Sequence, residues 1–199
     1  MKGVIVGSFT GWVEQTRGLP VCDAIIEAVK PDLTTGGAYT SVGDYPAAEF
    51  VKLAEALARR EGRTAADIMR EFGRDAYGAL ASLHPAMVEG MSDIASLLGS
   101  IETVIHTDVR KLYPDSQPPL ITAEVLADGD IAVTYRSHRH LTALCHGLIE
   151  GAVAAFPAPA TVILTAESQA QGACEAHFVV RRRDASEEKR ERTSGDNSE

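Results

Sequence analysis

Cysteine is scarce in this chain, and its three cysteines lie far apart. Cys22, Cys145 and Cys174 form no C-x-x-C pair, and no paired His/Cys spacing accompanies them. A disulfide framework needs a dense pattern of cysteines, and a structural zinc site needs closely spaced ligands. The sequence therefore argues against both designs and indicates a reducing, cytoplasmic compartment.

The chain also lacks a long apolar run and an excess of basic charge. Its first residues, MKGVIVGSFTGWVEQ, contain a short apolar stretch that reaches Glu14 without a small-residue cleavage site. This pattern predicts neither a signal peptide nor a membrane span. The formal net charge of −9 argues against nucleic acid and anionic membranes as partners.

Motifs of several common enzyme classes are missing as well. The sequence contains no G-x-S-x-G, no glycine-rich phosphate loop and no H-E-x-x-H. Its carboxylates are scattered in the manner of solvated helix faces. We therefore predict a protein without catalysis of its own.

Apolar residues recur at helical spacing from the N-terminus to about Tyr113. Pro20 suits the start of one helix, and Gly62 suits the end of another. Thr64 and Asp67 have the spacing of a capping box at the start of a third helix. A further helix is predicted from the apolar positions Ile94, Leu97, Leu98, Ile101, Ile105, Val109 and Leu112.

After PDSQPP the apolar period changes from about four to two. The segment ITAEVLADGDIAVTYRS predicts a hairpin around Asp128 and Gly129, and TVILTAES with CEAHFVVRR predicts a second hairpin over QAQG. The segment HLTALCHGLIEGAVAAF predicts a helix that crosses between them. The fold class is therefore α+β, with a helical N-terminal part and an antiparallel sheet of about four strands. We expect one domain over residues 1–182 and a charged, disordered tail over 183–199.

Three polar side chains alternate at the end of the second predicted strand. Tyr135, Ser137 and Arg139 share one face, because alternate residues of a strand point the same way. A guanidinium with two hydroxyls beside it is suited to binding carboxylates. The alternative is a hairpin that runs out into solvent, with Arg139 starting the next helix.

A histidine lies among apolar residues on the predicted helix SIETVIHTDVRKLYP. This residue, His106, is either a metal ligand or a satisfied core or surface side chain. The spacing alone leaves both interpretations open.

Longer stretches of the chain resemble the H-NOX family, the heme nitric oxide/oxygen binding domains related to the sensor domain of soluble guanylate cyclase. The similar segments are MKGVIVGSF, YTSVGDYP, EFGRDAYGALASLHP, VIHTDVRKLYPD and YRSHRHLTALCHGLIEGAVAAF, and with the last strand they span about residues 1–182. Tyr135-x-Ser137-x-Arg139 matches the family's Y-x-S-x-R signature. His106 matches its proximal histidine.

The resemblance implies a heme b between the helical part and the sheet. It implies that Tyr135, Ser137 and Arg139 hold the heme propionates and that His106 is the axial ligand of the iron. Pro119 matches a position that presses on the porphyrin and bends it, although a plain loop proline would fit the same sequence.

The resemblance also implies which residues line the distal side, where gas binds. Leu144 stands where oxygen-binding members carry a tyrosine, and Ile5, Phe9 and Ala76 match other distal positions without a strong donor. Bound O2 gains more than NO from a hydrogen-bond donor, so this set favours NO. Leu144, Ile5 and Phe9 also fit a plain core. Tyr77, beside Ala76, is a donor that helical geometry does not keep out of the distal space.

The implied function is a stand-alone heme-based sensor of nitric oxide, with CO as a second candidate ligand. NO at the ferrous iron would weaken the bond to His106, release its helix and let the heme relax against Pro119. A histidine kinase or a cyclic-di-GMP enzyme is the expected partner. The alternatives are an oxygen-binding H-NOX module and a heme-free, V4R-like ligand-binding or interaction domain.

Zinc is bound by cysteines near the C-terminal hairpin in some members of the family. Here Cys174 and His177 are the residues available for such a site. The alternative is a strand cysteine beside a surface histidine.

Overall fold

Helices occupy the first part of the chain and strands the second. The computed structural model describes residues 1–83, 85, 89–170 and 172–182. The helices are α1 (Gly3–Arg17), α2 (Leu19–Val29), α3 (Ala47–Glu61), α4 (Ala65–Leu83), α5 (Ile94–Ser100), α6 (His106–Leu112) and α7 (Thr142–Ala154), with a 3-10 turn at Lys30–Asp32 and a π-helix at Ile101–Ile105. The strands are β1 (Leu120–Val125), β2 (Ile131–Ser137), β3 (Ala160–Ala170) and β4 (Ala173–Arg182). The tail predicted over 183–199 lies outside the described residues.

The four strands form one antiparallel sheet in the order β1-β2-β4-β3. Strand β2 lies inside the sheet, where Tyr135 faces Ile121 of β1 and Ala176 of β4. Helix α7 connects β2 to β3 and so crosses between the two hairpins. The predicted α+β class, with its crossing helix, is confirmed.

The local stop and start signals act as the sequence predicts. Gly62 ends α3 with a left-handed φ of 64°, and its N–H donates to the carbonyl of Ala58. At the start of α4, the N–H of Asp67 donates to Thr64 Oγ1 at 3.1 Å, and the N–H of Thr64 donates to Asp67 Oδ2 at 3.2 Å. This reciprocal pair satisfies two N–H groups that a helix start otherwise leaves without partners.

Both predicted hairpins form, but their turns differ from the prediction in length. Asp128 and Gly129 lie in a loop over 126–130, where Gly129 has a φ of 87°. The second turn is tighter than QAQG, because the ladder continues until Ala170 pairs with Ala173. The additional strand pairs, Gln169 with Cys174 and Ala170 with Ala173, outweigh the tendency of QAQG to form a longer turn.

The hydrophobic residues form two clusters with α7 between them. The first cluster joins α1 to α4 around three fully buried phenylalanines, Phe9, Phe50 and Phe72, whose ring centroids lie 5.2 to 5.9 Å apart. The second joins α5, the inner face of the sheet and most of α7. Leu144 of α7 belongs to the first cluster, whereas the next residue, Cys145, belongs to the second. Helix α7 therefore connects the helical part to the sheet.

Glycines allow α4 and α7 to approach each other closely. A Cβ on Gly147 would lie 2.0 Å from the carbonyl oxygen of Arg70, and one on Gly151 would lie 2.4 Å from that of Arg74. A Cβ on Gly73 of α4 would lie 2.5 Å from the Leu144 carbonyl oxygen. No side chain fits at these contacts, so the two helices pack backbone against backbone.

The helix predicted from Ile94 to Leu112 is not continuous. The π-helix separates α5 from α6, and the N–H of His106 donates to the carbonyl of Ile101, five residues earlier. The prediction assumed 3.6 residues per turn throughout, whereas the wider π-helical turn changes the direction in which the side chains of α6 point. Leu112, predicted on the apolar face, is consequently exposed.

Candidate heme site

The row of polar residues on β2 begins inside the protein. Ile131, Val133, Tyr135 and Ser137 are all buried on the inner face of the sheet, while Arg136 between the last two is exposed. Burial raises the pKa of the Tyr135 hydroxyl. The hydroxyl therefore keeps its proton at neutral pH and can donate a hydrogen bond. Tyr135 and Ser137 are thus enclosed in the protein, and the alternative of a hairpin that runs out into solvent is wrong for these two residues.

Beyond the strand, the chain turns so that Arg139 stays half-buried. The backbone N–H of Arg139 donates to Ser137 Oγ at 3.1 Å, and the Ser137 side chain also lies within hydrogen-bonding reach of the Tyr135 hydroxyl. Next to it, His140 adopts a left-handed φ of 52°, a conformation that is uncommon for a residue with a side chain. Among the described residues, none forms a hydrogen bond or ion pair with the Arg139 guanidinium. Two hydroxyls and a guanidinium therefore lie at one end of β2, a set of donors that is suited to binding carboxylates.

Pro119 lies near the same end of the sheet. It directly precedes β1, whose first residue, Leu120, pairs with Arg136. Continuing that register by one residue brings Pro119 level with Ser137. The half-buried proline is thus close to the predicted carboxylate receptor.

His106 is the first residue of α6, and its side chain is only 12% exposed. Its Nδ1 lies 2.9 Å from Glu102 Oε2. Burial lowers the pKa of His106 and outweighs the opposite effect of Glu102, so the imidazole is neutral at pH 7. Burial alone would raise the pKa of Glu102, but hydrogen bonds from His106 and Arg110 lower it below its ordinary value.

These protonation states decide which imidazole nitrogen can bind a metal. An ionised carboxylate only accepts hydrogen bonds, so the proton of the neutral imidazole must be on Nδ1. The lone pair is then on Nε2, which no described residue engages. His106 therefore has the tautomer that a metal ligand needs.

The distal residues predicted from the family lie together. Phe9, Ala76 and Leu144 are buried in the first cluster, and Ile5 packs against it. They come from α1, α4 and α7, so the fold brings together positions that are distant in sequence. None of these four side chains carries a hydrogen-bond donor.

Tyr77, by contrast, packs against the second cluster, whereas Leu144 is in the first. A Cβ on Gly151 would lie 2.7 Å from the Cβ of Tyr77, which places the base of this tyrosine against α7. Burial raises the pKa of its hydroxyl.

The zinc site considered for β4 is not supported by the described residues. Cys174 is fully buried on the inner face of β4, whereas His177 is exposed on the outer face beside Thr134 and Glu175. Residues three apart in a strand point to opposite sides, so the two cannot bind one ion. Across the described part of the chain, no cluster of three or more His, Cys, Asp or Glu side chains suits a metal ion.

A family model described as Haem-NO-binding matches residues 2–163. The chain belongs to this family. The family consists of heme-based gas-sensor domains. No curated protein matches the chain significantly.

Solved H-NOX structures show the same fold. The unliganded Fe(II) H-NOX protein from K. algicida is 28% identical, with 92% of this chain and 97% of that chain covered and a TM-score of 0.82. The H-NOX protein from S. oneidensis in the Fe(II)NO ligation state is 26% identical, with 92% and 100% covered and a TM-score of 0.79. An oxygen-binding H-NOX domain, solved as its oxygen complex, is 22% identical, with 92% and 96% covered and a TM-score of 0.77. At that identity it shows only that the fold is shared.

The donor set of this H-NOX chain fits a heme. An iron porphyrin needs one axial nitrogen with a lone pair, donors for its carboxylates and an apolar enclosure. His106 has the nitrogen, Tyr135, Ser137 and Arg139 have the donors, and the first cluster has the apolar surface. Within the described ranges, no helix combines the length and apolar character that a membrane crossing needs.

Sequence reasoning missed two polar residues at this site. Glu102 accepts from His106 with one oxygen, and with the other it lies 2.5 Å from a terminal nitrogen of Arg110. The available signal was their spacing of four residues along the single helix that the sequence predicts. Their association with the histidine becomes evident only from the positions of the side chains.

Proposed function

We propose that this H-NOX domain is a sensor of nitric oxide that binds NO at ferrous heme b. One arrangement supports the proposal: a neutral His106 with its Nε2 free, combined with a distal set in which Leu144 and its neighbours carry no donor. O2 takes up negative charge on binding and needs a donor, whereas NO does not. The heme type is proposed as b because the chain contains no C-x-x-C-H attachment motif.

Each residue of the site has a role in this proposal. His106 binds the iron through Nε2, while Tyr135, Ser137 and Arg139 donate hydrogen bonds to the propionates. Pro119, half-buried beside the first residue of β1, would contact the porphyrin. The distal set, Ile5, Phe9, Ala76 and Leu144, excludes water and hydrogen-bond donors.

A bound ferrous heme would supply the position at which NO binds, and His106 would be the residue whose hold on the iron responds to that binding. His106 then no longer holds α6 against the inside of the protein. The exposed Leu112 of α6 and Val104 of the π-helix move with it, so the surface around them changes. A histidine kinase or a cyclic-di-GMP enzyme that contacts this surface would receive the signal. The chain itself has no catalytic role in this proposal.

Visible absorption spectra of the purified protein test the proposal. We expect a heme spectrum in the ferrous protein under argon that is unchanged in air and shifted by NO. His106→Ala should lose or alter the spectrum, whereas His138→Ala, at an exposed histidine, should not. Extraction of the pigment by acidic organic solvent would identify heme b. A stable oxygen complex in air would contradict NO selectivity, and a protein without heme would contradict the whole proposal.

Capture experiments test the partner. The NO-bound and unliganded forms should retain a histidine kinase or cyclic-di-GMP enzyme to different extents. Equal and negligible retention by both forms would contradict the proposed output. A version ending at residue 182 should give the same spectra as the full chain if the domain spans residues 1–182, as we propose.

A further inference from the structure

Glu102 lies between His106 and Arg110 on the helical segment that carries the candidate axial ligand. Its Oε2 is 2.9 Å from His106 Nδ1, and its Oε1 is 2.5 Å from a terminal nitrogen of Arg110. Glu102 is 25% exposed and Arg110 42% exposed, so the ion pair borders solvent while the imidazole is enclosed. The charged network therefore lies on the outer side of the histidine, away from Nε2.

The π-helix contributes to this geometry. Glu102 lies within it, and the Oγ1 of Thr107 donates to the Glu102 carbonyl at 3.2 Å, across five residues. The backbone of Glu102 is thus held from one side, and its carboxylate is held by Arg110 from the other. Because both the backbone and the carboxylate of Glu102 are held in place, the imidazole that donates to this carboxylate is held in one orientation as well.

We propose that Glu102 is a positioning residue that, held by Arg110, strengthens His106 as an axial ligand. This role depends on the proposed function, in which His106 binds the iron. A histidine whose Nδ1–H donates to a carboxylate is fixed in one tautomer and is a more basic ligand through Nε2. Loss of such a partner typically weakens metal binding about 10- to 100-fold.

This arrangement would set how readily the sensor responds. A stronger bond at His106 resists release of α6, so the chain would hold its unliganded state more firmly. Glu102 and Arg110 would therefore regulate the response without touching the gas. Removal of either should make His106 easier to release.

Two spectroscopic measurements on the heme-loaded full chain test this role. Resonance Raman spectra of the unliganded ferrous protein report the stretch of the bond between iron and histidine. Proton NMR of the diamagnetic carbon monoxide form reports the Nδ1–H of His106 through its chemical shift and solvent exchange. We expect Glu102→Leu to lower the stretching frequency and to speed exchange of that proton. The release of His106 after NO addition should be about tenfold faster or more.

Graded variants separate positioning from a general structural effect. Glu102→Gln keeps a neutral acceptor and should give a smaller decrease in frequency than Glu102→Leu. Arg110→Leu should also give an intermediate decrease, because Glu102 remains but is less fixed. Lys111→Leu is the matched control: Lys111 lies on α6 as well, but its ammonium is 2.8 Å from Asp108 and is not part of the network of Glu102, His106 and Arg110. It should leave both readouts unchanged.

The outcomes distinguish this inference from the proposed function. An iron–histidine band that is present in all variants but has the same frequency in Glu102→Leu as in the unchanged protein would overturn the role of Glu102. An equal decrease in Lys111→Leu would also overturn it. If the unchanged protein shows no iron–histidine band, the ligand role of His106 is wrong, and the role of Glu102 fails with it.

Discussion

The ammonium of Lys2 lies 4.8 Å from the centroid of the Tyr113 ring, at the end of α6. The same ammonium is 2.5 Å from Asp44 Oδ2, in the loop that precedes α3. Lys2 therefore joins the N-terminal segment to both the loop and the helix that begins with His106. The Lys2 side chain is 17% exposed, so water screens these contacts only in part.

The contact between Lys2 and Tyr113 can be measured with a double-mutant cycle. Lys2→Met and Tyr113→Leu, separately and together, should give a coupling energy of about 0.5 to 1 kcal/mol in urea unfolding. Tyr113→Phe is the control, since it keeps the ring face and should keep the coupling. A coupling energy indistinguishable from zero would show that the ammonium and the ring do not interact in solution.

Close packing between α4 and α7 predicts that alanine at one glycine destabilises the fold, whereas alanine at another glycine stabilises it. Gly147→Ala would place a Cβ 2.0 Å from the Arg70 carbonyl oxygen, and backbone atoms cannot give way cheaply. We expect it to lower the free energy of unfolding by about 3 kcal/mol or more. Gly78→Ala, on the other helix, α4, adds a Cβ that meets nothing within 4 Å and should raise the free energy of unfolding by about 0.5 to 1 kcal/mol through helix propensity. Thermal and urea unfolding measure both, and a neutral Gly147→Ala would contradict the close approach of the helices.

Some features of the fold depend only on neighbouring residues, whereas others depend on residues that are distant in the chain. The Thr64 and Asp67 capping box and the stop at Gly62 follow from chain chemistry between nearby residues. The backbone contact at Gly147 does not, because it depends on Arg70 of α4, which is far away in the chain. Such a glycine looks in the sequence like any other helical glycine.

The candidate site also has features that the sequence predicts and features that it does not. Spacing left open whether Tyr135, Ser137 and Arg139 bind carboxylates or run out into solvent, and the resemblance to a family was needed to favour heme propionates. The π-helix before His106 was not predicted, since the apolar pattern continues through it without proline. The Gly99 and Ser100 pair just before it is the one local feature that is typical of an irregular helix.

A buried carboxylate in the N-terminal part should make stability depend on pH. Glu49 is 2% exposed and accepts from the N–H and hydroxyl of Thr34 and from the hydroxyl of Tyr39. Burial alone would raise its pKa, but these hydrogen bonds lower it below the ordinary value of 4.5. Glu49 thus stabilises the fold fully above that pH, and its contribution is lost as the pH falls through the lower folded pKa.

Glu49→Gln tests this dependence. The variant should lose about 1 to 3 kcal/mol at pH 7, because the amide accepts fewer hydrogen bonds than the carboxylate. Its loss of stability should become smaller below pH 4.5, where the unchanged protein loses the contribution of Glu49. Glu124→Gln removes a charge from an exposed position of β1 and serves as the control for net charge. Urea unfolding at several pH values gives the curves, and parallel curves for Glu49→Gln and the unchanged protein would contradict the prediction.

Gas selectivity should change when a donor is introduced among the distal residues. Leu144 is buried in the first cluster, on the side of α7 that faces α1 and α4. Leu144→Tyr would add a hydroxyl there, and a hydrogen bond of about 1.4 kcal/mol corresponds to about tenfold in affinity for O2. We therefore expect the variant to form an oxygen complex in air that the unchanged protein does not form. Leu144→Phe adds a similar ring without the hydroxyl and should remain unchanged in air. If both variants bind O2 equally, ring size and not hydrogen bonding controls the distal side, and if neither does, Leu144 does not face the bound gas.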